Sequence, residues 1–221
     1  IFIERTKGIG YMSREDAIRS VAAGIEIVNQ LVDRESMDLL GTGDMGIGNT
    51  TPSTAIAAVC TGRSAEELTG RGTGLDDLQL QNKVRIIERI LAVNQPDPKD
   101  GLDILAKVGG FEIGGIAGLI IGAAARRKPV LVDGFISTAG ALIAYKIEPF
   151  IRDYLIFSHR SVEPGHRFMQ ELLGCTRPLL DLNFRLGEGT GAAMAMNLVE
   201  GAVAFLDANA VRDRLMAVPL V

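Results

Sequence analysis

Two cysteines, Cys60 and Cys175, are all that the 221-residue chain contains, and they stand in unrelated contexts. That excludes a disulfide scaffold, fits a reducing compartment such as the cytoplasm, and leaves no cysteine pair at a metal-ligand spacing. A basic excess is missing too. The 23 Lys and Arg stand against 27 Asp and Glu, a formal net charge of −4, so nucleic acid is a poor partner. The longest apolar stretch, from Ile113 to Ala125, is broken by four glycines and ends at Arg126-Arg127-Lys128. It is too short for a membrane span and reads as a buried helix. IFIERTKGIG carries neither an initiator Met nor a signal-peptide pattern, so the chain is expected to lack residues that precede Ile1.

What is present is globular. A 47% hydrophobic and 23% charged composition over this length suits one α/β domain, residues 1–221, with a sizeable core. Ser13-Arg-Glu-Asp is a capping signal for a helix with apolar positions at Ala17, Ile18, Val21, Ile25, Val28 and Leu31. Strands are expected at Asp38–Gly41, Pro129–Asp133, Tyr154–Ser158 and Pro178–Leu182. Helices are expected at Thr51–Cys60, Asp76–Val93, Gly110–Ala125 and Gly134–Tyr145. Strand, loop and helix in alternation predict a doubly wound, mainly parallel sheet flanked by helices, with further helices in a smaller helical part. Ligands of such sheets sit beyond the carboxyl ends of the strands. The expected exits are Gly43-Asp44, Asp133-Gly134, Ser158-His159 and Arg185-Leu-Gly-Glu188.

Four constellations carry possible chemistry. GDMGIGNTT has backbone freedom at a helix start, which suits a phosphate, yet it lacks the Lys of a Walker loop and reads equally as a tight turn. In RLGEGTGAA, Glu188 is either a cap for helix N–H groups or a general base. FSHRSVEPGHR holds both histidines, without a nucleophile elbow or a zinc ligand set. Ser158, Arg160 and Ser161 suit hydrogen bonding or anion binding there, and His159 and His166 also read as surface residues. VLVDGFISTAGA partly matches a phosphoribosyl-pyrophosphate motif, but Gly134 stands where a second acid is usual. Lys83 lies on an amphipathic helix and, taken by itself, reads as a solvated lysine.

In that order, GDMGIGNTTPSTA, NQPDPKDGLDILAKVGGFEI, PVLVDGFISTAGAL, SHRSVEPGH and RLGEGTGAA resemble the nicotinate-nucleotide–dimethylbenzimidazole phosphoribosyltransferase (CobT) family of cobalamin biosynthesis. The resemblance runs from about Met12 almost to the C-terminus, and family members carry extra chain before the position of Ile1. It implies an enzyme that moves ribose 5-phosphate from nicotinate mononucleotide to 5,6-dimethylbenzimidazole. It also implies a homodimer with no cofactor and no metal. Glu188 matches the family's proton acceptor, and Asp44 matches an acid that is usually Glu. Lys83 and Ser161 match residues that hold the mononucleotide. The remaining substrate-binding positions it implies are Gly46, Gly48, Asn49, Thr50, Gly72 in the second glycine loop, Asp133, Ser158, Gly187 and Gly189. Two other readings are a non-catalytic mononucleotide-binding fragment and a transferase that uses phosphoribosyl pyrophosphate.

Overall fold

The computed structural model describes residues 12–71, 74–184 and 187–216, with side chains described to Asn209. Helix α1, Arg14–Glu35, starts where the capping signal stands. The Ser13 hydroxyl accepts the Asp16 N–H, the Asp16 carboxylate accepts the Ser13 N–H, and Ser36 ends the helix at φ 53°. The same device opens α3 (Ala65–Leu68) with Ser64 and Glu67, and α4 (Asp77–Asn94) with Asp76 and Gln79. Asp100 opens α5 (Gly101–Val108) by accepting two N–H groups, from Leu102 and Asp103. The other long elements are α2 (Thr50–Thr61), α6 (Phe111–Ala125), α7 (Phe135–Ile147), α8 (Pro164–Leu172) and α9 (Thr190–Met216).

Three parallel strands, β1 (Leu40–Gly41), β2 (Val130–Val132) and β3 (Leu155–Phe157), form a sheet in that order. Leu40 lies opposite Val130, and Leu131 opposite Ile156. Successive strand side chains point to opposite faces. Val130 and Val132 accordingly join the main core of α6 and α7, whereas Leu131 packs in a second cluster with Ala192 and Ala195 of α9. Helices therefore cover both faces of β2, which is why all three of its residues are fully buried.

The expected parallel, helix-flanked architecture is present, with one correction to the strands. The chain does not stop at Ser158 and turn into a loop. After that one residue it forms β4 (His159–Ser161), which pairs in parallel with β5 (Leu180–Phe184) as a second small sheet. Ser158 causes the step: its N–H donates to the Val132 carbonyl at 3.0 Å and its hydroxyl donates to the same oxygen at 2.7 Å. Its own carbonyl then takes the Leu180 N–H. The strand shifts its pairing from β2 to β5.

α1 and α6 form the most extensive pairing among the described elements. Glycine makes this possible. A Cβ on Gly24 would lie 2.1 Å from the Gly115 carbonyl oxygen, and one on Gly118 would lie 2.0 Å from that of Val21. The glycines of α6, poor helix formers, are tolerated because they admit a neighbouring backbone. α9 differs. Its first turns dock on Leu131, and beyond them Val203, Phe205 and Leu206 are exposed. Thr190–Asn209 is also the described segment long and apolar enough, by length and composition, to cross a bilayer.

Adding a methyl at the tight crossing and at an open helical glycine should have opposite effects. Gly118→Ala should destabilise the chain by about 1–3 kcal/mol. Gly201→Ala, on α9 with nothing within 4 Å of the new methyl, should be neutral or stabilise by up to about 1 kcal/mol. Urea unfolding of the two variants beside the parent measures both.

Candidate functional site

A cavity of about 530 Å³ opens at the carboxyl ends of β1 and β2. Residues 44–47 and 50, 133–137, 161–163 and 187–188 contribute to its wall. Two of these segments are helix starts. α2 begins at Thr50 behind Asn49, and α7 begins at Phe135 behind Gly134; neither cap residue makes a side-chain capping bond. Thr50 and Thr51 of α2 and the first residues of α7 thus receive no side-chain capping bond from the residue before them, and the positive ends of both helices favour an anion.

Acids line the cavity as well. The Glu188 N–H donates to the Asp44 carbonyl at 2.9 Å, laying the 187–189 turn on the 43–44 turn. A Cβ on Gly43 would meet the Gly189 nitrogen at 2.5 Å, and Gly189 has φ +79°, so both positions need glycine. Glu188 itself is at φ +61°, a left-handed conformation that costs a non-glycine residue about 1–3 kcal/mol and clusters at functional sites. Its side chain is exposed. Burial falls on Asp44 instead, where it pushes the carboxyl above its ordinary range. The Asn49 amide, which donates to Asp44, works in the opposite sense, and the Glu112 charge adds to the rise.

Asp133 also lines the cavity, but one of its oxygens is occupied. Oδ1 accepts the Ala192 N–H at 3.0 Å and lies 3.5 Å from His159 Nε2. Burial alone would raise its carboxyl; the bonds from His159 and Ala192 outweigh that and hold it below the ordinary value. Asp133 thereby ties β2 to the start of α9, just after Glu188. Its own N–H donates to the Thr42 hydroxyl at 3.2 Å.

Both histidines are buried, at 1% and 0% exposure, which corrects the surface reading. His166 Nδ1 accepts the Ser161 N–H at 2.9 Å. Its proton is therefore on Nε2, which faces the Thr138 hydroxyl at 2.9 Å, and Thr138 in turn donates to the Gly134 carbonyl. One neutral imidazole thus links two walls of the cavity. Burial, and next the charge of His159, depress its pKa to about 3.

Of the positions expected from sequence, Asp44, Gly46, Thr50, Asp133, Ser161, Gly187 and Glu188 line the cavity. Gly48 and Asn49 line an adjoining cleft with Asp44 and Glu112. Lys83 lies behind the wall, where its ammonium donates to Thr50 Oγ1. Ser158 is fully buried and its hydroxyl serves the β2 carbonyl described above, so it does not reach the cavity. Gly189 supports the turn, and Arg160 pairs at the surface with Asp181 at 3.3 Å. Gly72 is outside the described residues. Glu163, which sequence reasoning passed over, lines the cavity with a buried, unpartnered Oε2. Its signal was an acid directly before the Pro164-Gly165 helix start. No group of three or more His, Cys, Asp or Glu that could hold a metal occurs among the described residues.

Comparison with known proteins adds the family. Residues 10–214 match a family model, DBI_PRT, described as Phosphoribosyltransferase. The chain is 70% identical over 195 residues to the nicotinate-nucleotide–dimethylbenzimidazole phosphoribosyltransferase of Desulfotalea psychrophila, covering 88% of this chain and 54% of that protein. To the protein of the same name from Syntrophotalea carbinolica it is 59% identical over 202 residues, 91% of this chain and 56% of the other. The crystal structure of CobT from Thermus thermophilus superposes with a TM-score of 0.83 at 44% identity, over 88% of this chain and 57% of that one. The chain spans about half the length of the relatives it matches.

The buried histidine makes stability depend on pH with a definite sign. An unfolded histidine titrates near pH 6.5, whereas folded His166 stays neutral to about pH 3. Between those values the unfolded chain binds a proton that the folded chain refuses, so stability is lost as pH falls through about 6.5. From pH 7.5 to 5.5 this group should contribute a loss of about 1.4 kcal/mol. Urea unfolding at both pH values, with parent and His166→Asn, should find a smaller loss in the variant; equal losses would exclude His166 as the source.

Proposed function

The chain belongs to the phosphoribosyltransferase family matched over residues 10–214, and on that premise we propose that it transfers ribose 5-phosphate from nicotinate mononucleotide to 5,6-dimethylbenzimidazole, forming α-ribazole 5′-phosphate and nicotinate. The observation that carries this reading is one cavity lined both by two helix starts and by the carboxylates of Asp44, Asp133 and Glu188. Phosphate suits the uncapped starts of α2 and α7, with Thr50, Ser137 and Ser161 as hydroxyl neighbours.

As the ribosyl–nicotinate bond breaks, nicotinate leaves with the bonding electrons and positive charge grows on the ribose. The carboxylates of Asp44, Asp133 and Glu188 favour that charge. A ring nitrogen of the benzimidazole then bonds to the ribose carbon, and the N–H proton of the acceptor passes to Glu188. Exposure of Glu188 keeps its carboxylate accessible to an incoming base, while Asp44, raised by burial, stands beside it. The reaction uses no phosphoribosyl pyrophosphate and releases no pyrophosphate, which agrees with a single acid at Asp133-Gly134. We further propose one α/β domain acting as a cytoplasmic homodimer. The continuous core from Met12 to Cys175 supports the single domain, and the two free cysteines suit a reducing compartment.

A second reading has its own support. Because the chain spans about half of its relatives' length, it is alternatively the donor-binding portion of a longer catalyst. Nicotinate release from the mononucleotide, with and without 5,6-dimethylbenzimidazole, separates the two. Acceptor-dependent release supports the transferase, and binding without release supports the donor-binding portion. In an active form, Glu188→Gln should lower turnover by about 10²-fold or more and leave the mononucleotide dissociation constant within about twofold of the parent's. Unchanged turnover would remove Glu188 from the base role.

A further inference from the structure

Lys83 is 9% exposed, a rare place for a lysine. It is not among the residues that line the cavity. Its Nζ donates to Thr50 Oγ1 at 3.1 Å and lies 3.4 Å from the Gly70 carbonyl oxygen. Thr50 does line the cavity, at the first residue of α2. A hydroxyl that accepts from an ammonium keeps its own proton for another partner. At the first residue of a helix no carbonyl one turn back is available within the helix to take that proton, so it is left for the cavity.

Glu163 completes the arrangement. It lines the same cavity, and its Oε2 is buried without a hydrogen-bond partner. That oxygen sits against Gly70, where a Cβ would come within 1.9 Å of it. Gly70 is also the residue whose carbonyl meets the lysine, so acid and ammonium close on one glycine. Burial lowers the ammonium's pKa, and the charge of Glu163 opposes that fall. Among ionisable groups on the elements packed against α4, Glu67 of α3 is held by Ser64 and Arg63, and Asp103 of α5 pairs with Lys107. Cys60 of α2 lies near Lys146, and Glu66 of α3 is exposed.

We infer that Thr50 is the direct hydroxyl donor to the bound phosphate, and that Lys83 and Glu163 are positioning residues: the ammonium turns the Thr50 proton into the cavity, and the carboxylate closes on the same glycine as the ammonium. This rests on the reading of the cavity as a nucleotide-phosphate site. It gives Lys83 an indirect part in place of contact with the ligand.

A double-mutant cycle on nicotinate mononucleotide binding, followed by calorimetry on the 221-residue chain, tests it. Thr50→Val should weaken binding by about 10-fold or more, the scale of a hydrogen bond to a charged group. Lys83→Met should weaken it comparably, and the double variant should be little worse than Thr50→Val. Thr50→Ser should bind like the parent, which separates a lost hydroxyl from a disturbed fold. In Glu163→Gln, the loss of binding on raising the pH should begin at a lower pH than in the parent, because removing the acid lets the ammonium deprotonate sooner. Glu163→Asp should restore part of the difference. Losses that multiply in the double variant, or an unmoved alkaline limb in Glu163→Gln, would overturn the inference while leaving the donor-site reading intact. A parent chain that binds no mononucleotide would overturn both.

Discussion

The three residues Val130, Leu131 and Val132 are the constraint from which the site hangs. Each is fully buried, and burying a side chain of this size contributes about 1.5–3 kcal/mol. Because Val130 and Val132 face one core while Leu131 faces α9, a register slip of one residue would invert the strand and turn both valines away from their core. β1 and β3 pair on either side of this strand, so the three loops that follow them are brought to one edge. Asp133, the next residue, converts that backbone register into a side-chain contact with the start of α9.

The walls of the cavity are then held by groups that avoid unpaired charge. His166 is neutral, and its ring nitrogens have partners in two elements, Ser161 of β4 and Thr138 of α7. Asp133 is ionised because His159 and a helix N–H compensate its burial. Lys83 has two oxygens within reach and an acid nearby. Buried polar groups are costly only when unpartnered. The described exceptions are Asn49 Oδ1, Ser53 Oγ, His159 Nδ1 and Glu163 Oε2, of which Glu163 lines the cavity. The strained φ of Glu188 belongs to this pattern, since a left-handed glutamate persists only where surrounding contacts fix the turn.

α9 is built on a different principle. Its first turns are part of the site's foundation, and its later ones present apolar side chains to solvent. The docking face sets Ala192 and Ala195 against Leu131, with Met196 and Val199 packed beside them.

Much was written in the chain itself. Capping residues at Ser13 and Asp76 set helix starts to within a residue, the alternation of strand and helix required parallel pairing, and five ordered motifs identified the family and gathered Asp44, Thr50, Asp133, Ser161 and Glu188. Those features are local, so a linear reading contains them. The break between β3 and β4 was not legible, because it depends on Ser158 bonding to a carbonyl 26 residues away. Nor was the burial of both histidines, the place of Lys83 behind Thr50, or the presence of Glu163 in the wall. A charged or polar side chain is inside or outside according to what packs around it, and that environment is assembled from segments distant in sequence. Local propensity determined the elements and motifs of this protein; only tertiary packing decided which of its polar groups face the cavity and which hold the others in place.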